Sequence, residues 1–329
     1  NVYKDKKART NGEIYIGVVG PVRTGKSTFI KRFMNLMVLP NIEDENDRNR
    51  ANDELPQSSS GKTIMTTEPK FVPNEAVSIK TEEGIELNVR LIDCVGYMVE
   101  GATGHMEGEE ERLVKTPWFD YEIPFTKAAA IGTKKVITEH STIGVVVTCD
   151  GSFGEIAAKQ YEPAEEETIK QLKALKKPFV VLLNTIHPYS ESTKQLAAEK
   201  EEKYQTKVLP MNLEQMKKED IYEIIKSVLM EFPISSIGFY VPRWTEMLKK
   251  DHPLKMELLQ MARDVITEKT TMRDIYEEQE KEYEYITGQK LESVAMDSGE
   301  VVITVKVGDV YYYEFLSETT GMEIRNEYE

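Results

Sequence analysis

The chain has 329 residues, of which 40% are hydrophobic and 30% charged, ordinary values for a soluble globular protein with room for one large and one smaller domain. A formal net charge of −15 repels phosphate backbones and argues against general nucleic-acid binding, and no run approaches the roughly 18 consecutive apolar residues of a membrane-spanning helix. The two cysteines, Cys94 and Cys149, make no disulfide framework and have no Cys or His nearby at zinc-ligand spacing, which suits a reducing cytoplasm.

In chain order, a short basic run from Lys4 to Arg9 reads as a solvated end; the start at Asn1 rather than Met leads us to expect a short missing beginning. "EIYIGVVG" then reads as a buried strand and "GKSTFIKRFMNLM" as a helix. "LNVRLIDCVG", "IGVVVTCDG" and "PFVVLLNTIHP" are further short, nearly continuous apolar runs, the pattern of parallel strands covered on both faces. "EPAEEETIKQLKALKK" begins acidic and ends basic, as the helix dipole favours, and "KVLPMN" with "NLEQMKKEDIYEIIKSVLMEF" supplies a last strand and helix. Alternating strands and helices predict an α/β domain with a mostly parallel sheet over 1–232.

From Pro233 the texture changes. Leu258, Met261, Val265, Met272, Ile275 and Ile286 recur at near-heptad spacing, predicting one long helix from Pro253 to about Gly288, either covering its own sheet or forming an assembly surface. "ESVAMD", "EVVITVKV" and "VYYYEFL" alternate and are joined by Asp-Ser-Gly and Val-Gly-Asp, predicting antiparallel hairpins. We read 233–329 as an α+β domain and, from its abrupt acidic end, expect the native chain to continue.

The chemistry begins at "GPVRTGKS", which matches G-x-x-x-x-G-K-[ST] through Gly20, Gly25, Lys26 and Ser27 and lies between a predicted strand and helix. Glycines let backbone N–H groups turn toward phosphates, and the helix N-terminus adds favourable charge. Lys26 is expected to reach the β- and γ-phosphates and Ser27 to ligate Mg²⁺, with Arg23, Thr24 and Thr28 in the same phosphate-facing stretch. Asp93 and Gly96 form D-x-x-G at the end of the next apolar strand, where a carboxylate can hold Mg²⁺ and a glycine N–H can meet the γ-phosphate. Between the two, Thr66 and Thr67 are candidates for a threonine that completes the metal shell and senses the γ-phosphate, ahead of Thr63; the plainer reading is strand-edge threonines. The expected metal set is thus Ser27, Thr66, Thr67 and Asp93.

This order of motifs resembles the translation-factor-related class of P-loop GTPases. The base-reading N-K-x-D of that class is here Asn184, Thr185, Ile186 and His187, without the aspartate that accepts from guanine. A site built on polar pairing loses most of its discrimination when the acceptor goes, which favours ATP; Asn184 and Thr185 remain candidates beside the base. His187 reads as a rim or capping histidine before a metal ligand or base. Tyr97 stands where many GTPases carry a water-orienting glutamine, so slow intrinsic hydrolysis is expected. Arg23 occupies a place that is arginine in guanylate-binding proteins, which implies an internal finger; the plainer reading is a surface arginine paired with an acidic neighbour.

Over its whole length the sequence resembles the stage IV sporulation protein A family, the coat-morphogenesis ATPases of spore-forming bacteria. "GPVRTGKSTFIKRFMNLMVLPNI", "SSSGKTIMTTEPKFVPNEAV", "VRLIDCVGYMVEGA", "GEEERLVKTPWF" and "FPISSIGFYVPRW" carry it. The resemblance implies a mother-cell cytoplasmic ATPase that polymerises on the forespore outer surface into the basement layer of the spore coat. It also implies recruitment by a small amphipathic membrane-bound peptide, other spore coat proteins as partners, a further C-terminal domain for polymerisation and localisation, and functional roles for Lys26, Thr66, Thr67 and Asp93. Two other readings stand beside it: a GTP-binding or nucleotide-promiscuous switch recruiting a partner, and a nucleotide-stabilised scaffold without turnover.

Overall fold

The computed structural model describes residues 13–56, 68–80, 86–154, 156–276, 281–295, 299–326 and 328; Thr63, Thr66 and Thr67 lie outside the described residues. The chain divides into two compact units, one within 4–231 and one within 232–329.

In the first unit β1 (Glu13–Val19) leads through a loop into α1 (Lys26–Phe33), which a wider π-type turn extends over Met34–Val38. Helix α2 (Glu45–Asp53) follows, its start fixed by the Asp44 carboxylate, which accepts from the N–H groups of Asn46 and Asp47 at 2.8 and 3.0 Å. Then come β2 (Lys70–Lys80) and β3 (Glu86–Asp93). Two small hairpins follow, β4 (Met106–Glu107) with β5 (Glu110–Glu111) and β6 (Leu113–Thr116) with β7 (Phe119–Pro124). The remainder alternates: α3 (Phe125–Lys135), β8 (Ile143–Cys149), α4 (Ala158–Ala174), β9 (Phe179–Asn184), α5 (Glu191–Tyr204), β10 (Val208–Met211) and α6 (Lys218–Met230).

Six strands make one sheet in the order β10-β9-β8-β1-β3-β2, parallel except for β2, which runs antiparallel to β3. Every residue of β8 and β9 is buried, as strands covered on both faces require. Alternate residues Val19, Val146 and Val181 pack with Val136, Ile137, Ile169 and Leu172 in one cluster, so the helices after β7 and β8 cover that face. The chain leaves β1 toward β3 and later returns on its other side as β8. Such a reversal opens a crevice at the carboxyl ends of the strands. Register puts Val18 beside Asp93 and Cys149 beside Asn184, so the predicted phosphate, metal and base elements share that one rim. Strand β2 was not legible: Pro73 interrupts its apolar run, as suits an edge strand, and at the opposite edge β10 carries Pro210.

The second unit holds β11 (Ser236–Tyr240), α7 (Pro253–Glu268), α8 (Met272–Tyr276), β12 (Ile286–Ala295), β13 (Glu300–Val307) and α9 (Asp309–Thr320). Its sheet has the order β11-β13-β12, with β11 parallel and β12 antiparallel to β13. Two expectations are corrected. The helix predicted from Pro253 to Gly288 ends at Glu268, because the Asp274 carboxylate accepts from the N–H groups of Thr270 and Thr271 at 2.8 and 2.7 Å and starts a second helix there. Leu258, Met261 and Val265 are buried on α7, but Ile286 begins a strand, anchored where Glu257 accepts from the N–H groups of Tyr285 and Ile286. "VYYYEFL" is helical rather than a hairpin strand. Its aromatic rings find partners at helical spacing, Tyr311 on Tyr285 and both Tyr312 and Phe315 on Trp244, and that packing overrides β propensity.

Candidate nucleotide site

The loop from Gly20 to Gly25 is held by close packing that leaves no space for side chains at its glycines. At Gly20, φ is +130° and a Cβ would lie 2.4 Å from the Val147 carbonyl oxygen. Gly96 faces the loop from the end of β3 with φ +97°; a Cβ there would meet Gly20 O at 2.3 Å and Lys26 Nζ at 2.6 Å. The two segments are clasped by their backbones: Tyr97 N–H donates to Gly20 O at 3.2 Å and Val22 N–H donates to Tyr97 O at 2.9 Å.

Lys26 opens α1 with its ammonium buried under the loop, donating to Pro21 O and, at 3.5 Å, to Gly20 O. Burial lowers its pKa, while the neighbouring Cys94 and Asp93 oppose the shift. Asp93 ends β3 close by. Burial pushes its carboxyl up to about 6 against the pull of Lys26, the Cys94 backbone and Lys70, and its Oδ1 is buried with no hydrogen-bond partner among the described residues. The Ser27 and Thr28 hydroxyls, half-buried on the first turn of α1, likewise make no side-chain hydrogen bond among the described residues. An orphaned carboxylate oxygen and a free hydroxyl are the donors a hard, oxygen-seeking cation takes, so Asp93 and Ser27 fit Mg²⁺. Among the described residues no group of three or more His, Cys, Asp and Glu could hold a metal ion. Cys94 is structural: burial raises its pKa to about 11 and its Sγ donates to Val18 O at 3.4 Å.

Thr24 is buried and spends its hydroxyl on Pro21 O at 3.0 Å. Arg23 adopts φ +61°, and its exposed guanidinium donates to the Thr103 carbonyl oxygen at 3.2 Å and hydroxyl at 3.4 Å, not to an acidic neighbour. Asn184 is buried and bridges two loops, its Nδ2 donating to Thr24 O at 3.0 Å and its Oδ1 accepting from Leu213 N–H at 3.2 Å. Thr185, fully buried, gives its hydroxyl to the Asp150 carboxylate at 2.6 Å, whereas His187 is exposed. The Tyr97 hydroxyl donates to Gln171 at 2.8 Å, and burial raises its pKa to about 12.

The structure therefore gathers Gly20, Lys26, Asp93 and Gly96 around one loop and joins Asn184 to it through Thr24. Asp150, Ser152 and Thr133 escaped sequence reading. Asp150 at the end of β8 accepts from Thr185 and from the Ser152 N–H and hydroxyl, holding the base-side rim together. The third is Thr133 of α3, whose hydroxyl oxygen accepts from the Gly96 N–H at 3.1 Å. Only the "CDG" at a strand end, an acidic turn, hinted at Asp150; nothing near residue 133 marks it.

A family model described as "Stage IV sporulation protein A, ATPase domain" matches residues 1–233, and one described as its middle domain matches 234–329. The chain belongs to the stage IV sporulation protein A family. Proteins named stage IV sporulation protein A from Bacillus anthracis, Clostridioides difficile and Bacillus subtilis are 46%, 48% and 45% identical to it over 99%, 100% and 99% of its length. The chain spans about two thirds of these relatives (66%, 67% and 66%). The whole resembled family named from the sequence is thus the family matched, and the candidate site lies within its ATPase domain. No helix among the described residues is long and apolar enough to cross a membrane.

Proposed function

We propose that 1–232 is a P-loop NTPase domain of GTPase-like build that binds and hydrolyses ATP, and that 233–329 is a separate α+β domain. The observation that carries this reading is the buried Asp93 Oδ1 without a partner beside the buried Lys26 ammonium, a carboxylate and a cation kept at a cost unless a charged ligand completes them. Backbone N–H groups of Gly20, Arg23, Thr24, Gly25 and Lys26 and the first turn of α1 receive the phosphates, and Lys26 leaves the loop carbonyls for the β- and γ-phosphates. Ser27 and Asp93, with Thr66 and Thr67 as proposed sensors, would hold Mg²⁺. When bound, the ion withdraws charge from the phosphate oxygens.

The base corner supports ATP over GTP. Asn184 has both amide ends engaged, Thr185 is spent on Asp150, and no aspartate follows at position 187. In competition against one labelled nucleotide, unlabelled ATP is expected to displace at a concentration at least about tenfold below that of GTP, the scale on which lost polar pairing discriminates. A preference for GTP would replace this reading with the molecular-switch alternative.

Among the described residues Arg23 is held by neutral oxygens, so its guanidinium is available to stabilise charge that develops on the γ-phosphate. Arg23→Ala is expected to slow turnover of assembled protein by roughly 10- to 100-fold while leaving ATP affinity within about threefold. Unchanged turnover ends that assignment. In the cell, turnover would drive self-assembly into the basement layer of the spore coat on the forespore surface. There a small amphipathic membrane-bound peptide would recruit the protein from the mother-cell cytoplasm, and other coat proteins would join it.

A further inference from the structure

Gly96 is expected to give its N–H to the γ-phosphate, yet that N–H is already engaged. It donates to Thr133 Oγ1 at 3.1 Å, and Thr133 is fully buried. The hydroxyl's own proton is committed to Ala129 O at 2.8 Å, one turn back on α3, so the oxygen can serve Gly96 only as an acceptor. The Cβ direction at Gly96 is filled by Gly20 O and Lys26 Nζ, and the Cys94 thiol lies within reach of both the Gly96 amide and the Thr133 hydroxyl.

Resting on the nucleotide reading above, we infer that Thr133 is a positioning residue that competes with the γ-phosphate for the Gly96 amide. A triphosphate takes this N–H from Thr133, whereas a diphosphate does not reach it. The exchange runs in the phosphate's favour because a hydrogen bond to an ionised oxygen is roughly twice as strong as one to a neutral hydroxyl. It leaves Thr133 Oγ1 buried without its donor, so the state of the γ-phosphate is felt by α3. The start of that helix is tied to the hairpins: Phe125 N–H donates to Arg112 O at 2.9 Å, and the Glu111 carboxylate accepts from Thr126 N–H at 2.8 Å. Leu113 and Tyr121 on those hairpins are exposed, so the message ends on an accessible surface.

The test uses the full chain with Mg²⁺ and either a non-hydrolysable ATP analogue or ADP, comparing wild type, Thr133→Val and Thr133→Ser. Thr133→Val removes the competing acceptor at nearly constant shape and is expected to tighten the triphosphate analogue about fivefold to tenfold while leaving ADP unchanged; Thr133→Ser restores the wild-type ratio. Hydrogen exchange at the Gly96 amide should be slow in nucleotide-free wild type, fast in nucleotide-free Thr133→Val, and slow again in the variant with the analogue bound. An equal shift for both nucleotides, no shift, or exchange indifferent to the substitution overturns the inference while the nucleotide reading stands. A wild type that binds neither nucleotide overturns both.

Discussion

Replacing Lys26 with alanine is expected to weaken ATP binding by roughly 100-fold, since the hydrogen bonds of an ammonium to a phosphate are among the strongest a side chain makes. The fold should survive. Lys26 now satisfies only loop carbonyls, and its burial already lowers its pKa, so the nucleotide-free protein gains little from the charge. A second effect is built into the geometry: Lys26 is the largest influence drawing Asp93 toward its ionised form, and without it the Asp93 pKa should rise further. Titration calorimetry with ATP and Mg²⁺, paired with a thermal melt, separates the cases. Binding within about threefold of wild type, at an unchanged melting temperature, would remove the phosphate role from the loop.

Asp93→Asn should have opposite effects on stability and on turnover. Burial disfavours the charge of the Asp93 carboxyl and pushes it up to about 6 from an ordinary value of 3.8. The folded state therefore holds a proton that the unfolded chain has released between these values. Stability from this group falls as pH rises through that window and is gone above about 6. At pH 8 the native protein carries the penalty of an ionised, unpartnered oxygen, on the order of 1–3 kcal/mol. Asparagine removes the charge, so the variant is expected to melt a few degrees higher at pH 8 without magnesium and to lose the advantage at pH 4. Hydrolysis in the presence of magnesium should fall by roughly 100-fold or more, a function–stability trade at a functional site. A lower melting point at pH 8 with hydrolysis intact would mean that Asp93 is an ordinary structural carboxylate.

What the sequence disclosed was governed by how local each signal is. β8 and β9 are short apolar runs buried along their whole length, and β1 and β3 are nearly continuous apolar runs; such runs read directly as parallel strands. The phosphate-loop spacing and D-x-x-G identified residues that the fold does bring together. β2 and the hairpins from Met106 to Pro124 carry many charges and few buried positions, so periodicity had little to grip. The aromatic run from Tyr311 to Phe315 has β propensity, but Trp244 and Tyr285 supply stacking partners that only the folded chain provides. Thr133 stands 37 positions from the amide it serves, and Thr185 meets Asp150 across 35; distances of that kind leave no local trace.

The two prolines at the rims of the large sheet have a consequence for how molecules of this kind can meet. Among the described strands, β2 and β10 are the outermost, and Pro73 and Pro210 each lack the amide that an incoming strand would need. Neither border can be copied by a neighbour as a continuous ribbon of backbone bonds. The large sheet is thereby steered away from cross-β stacking at both of its borders.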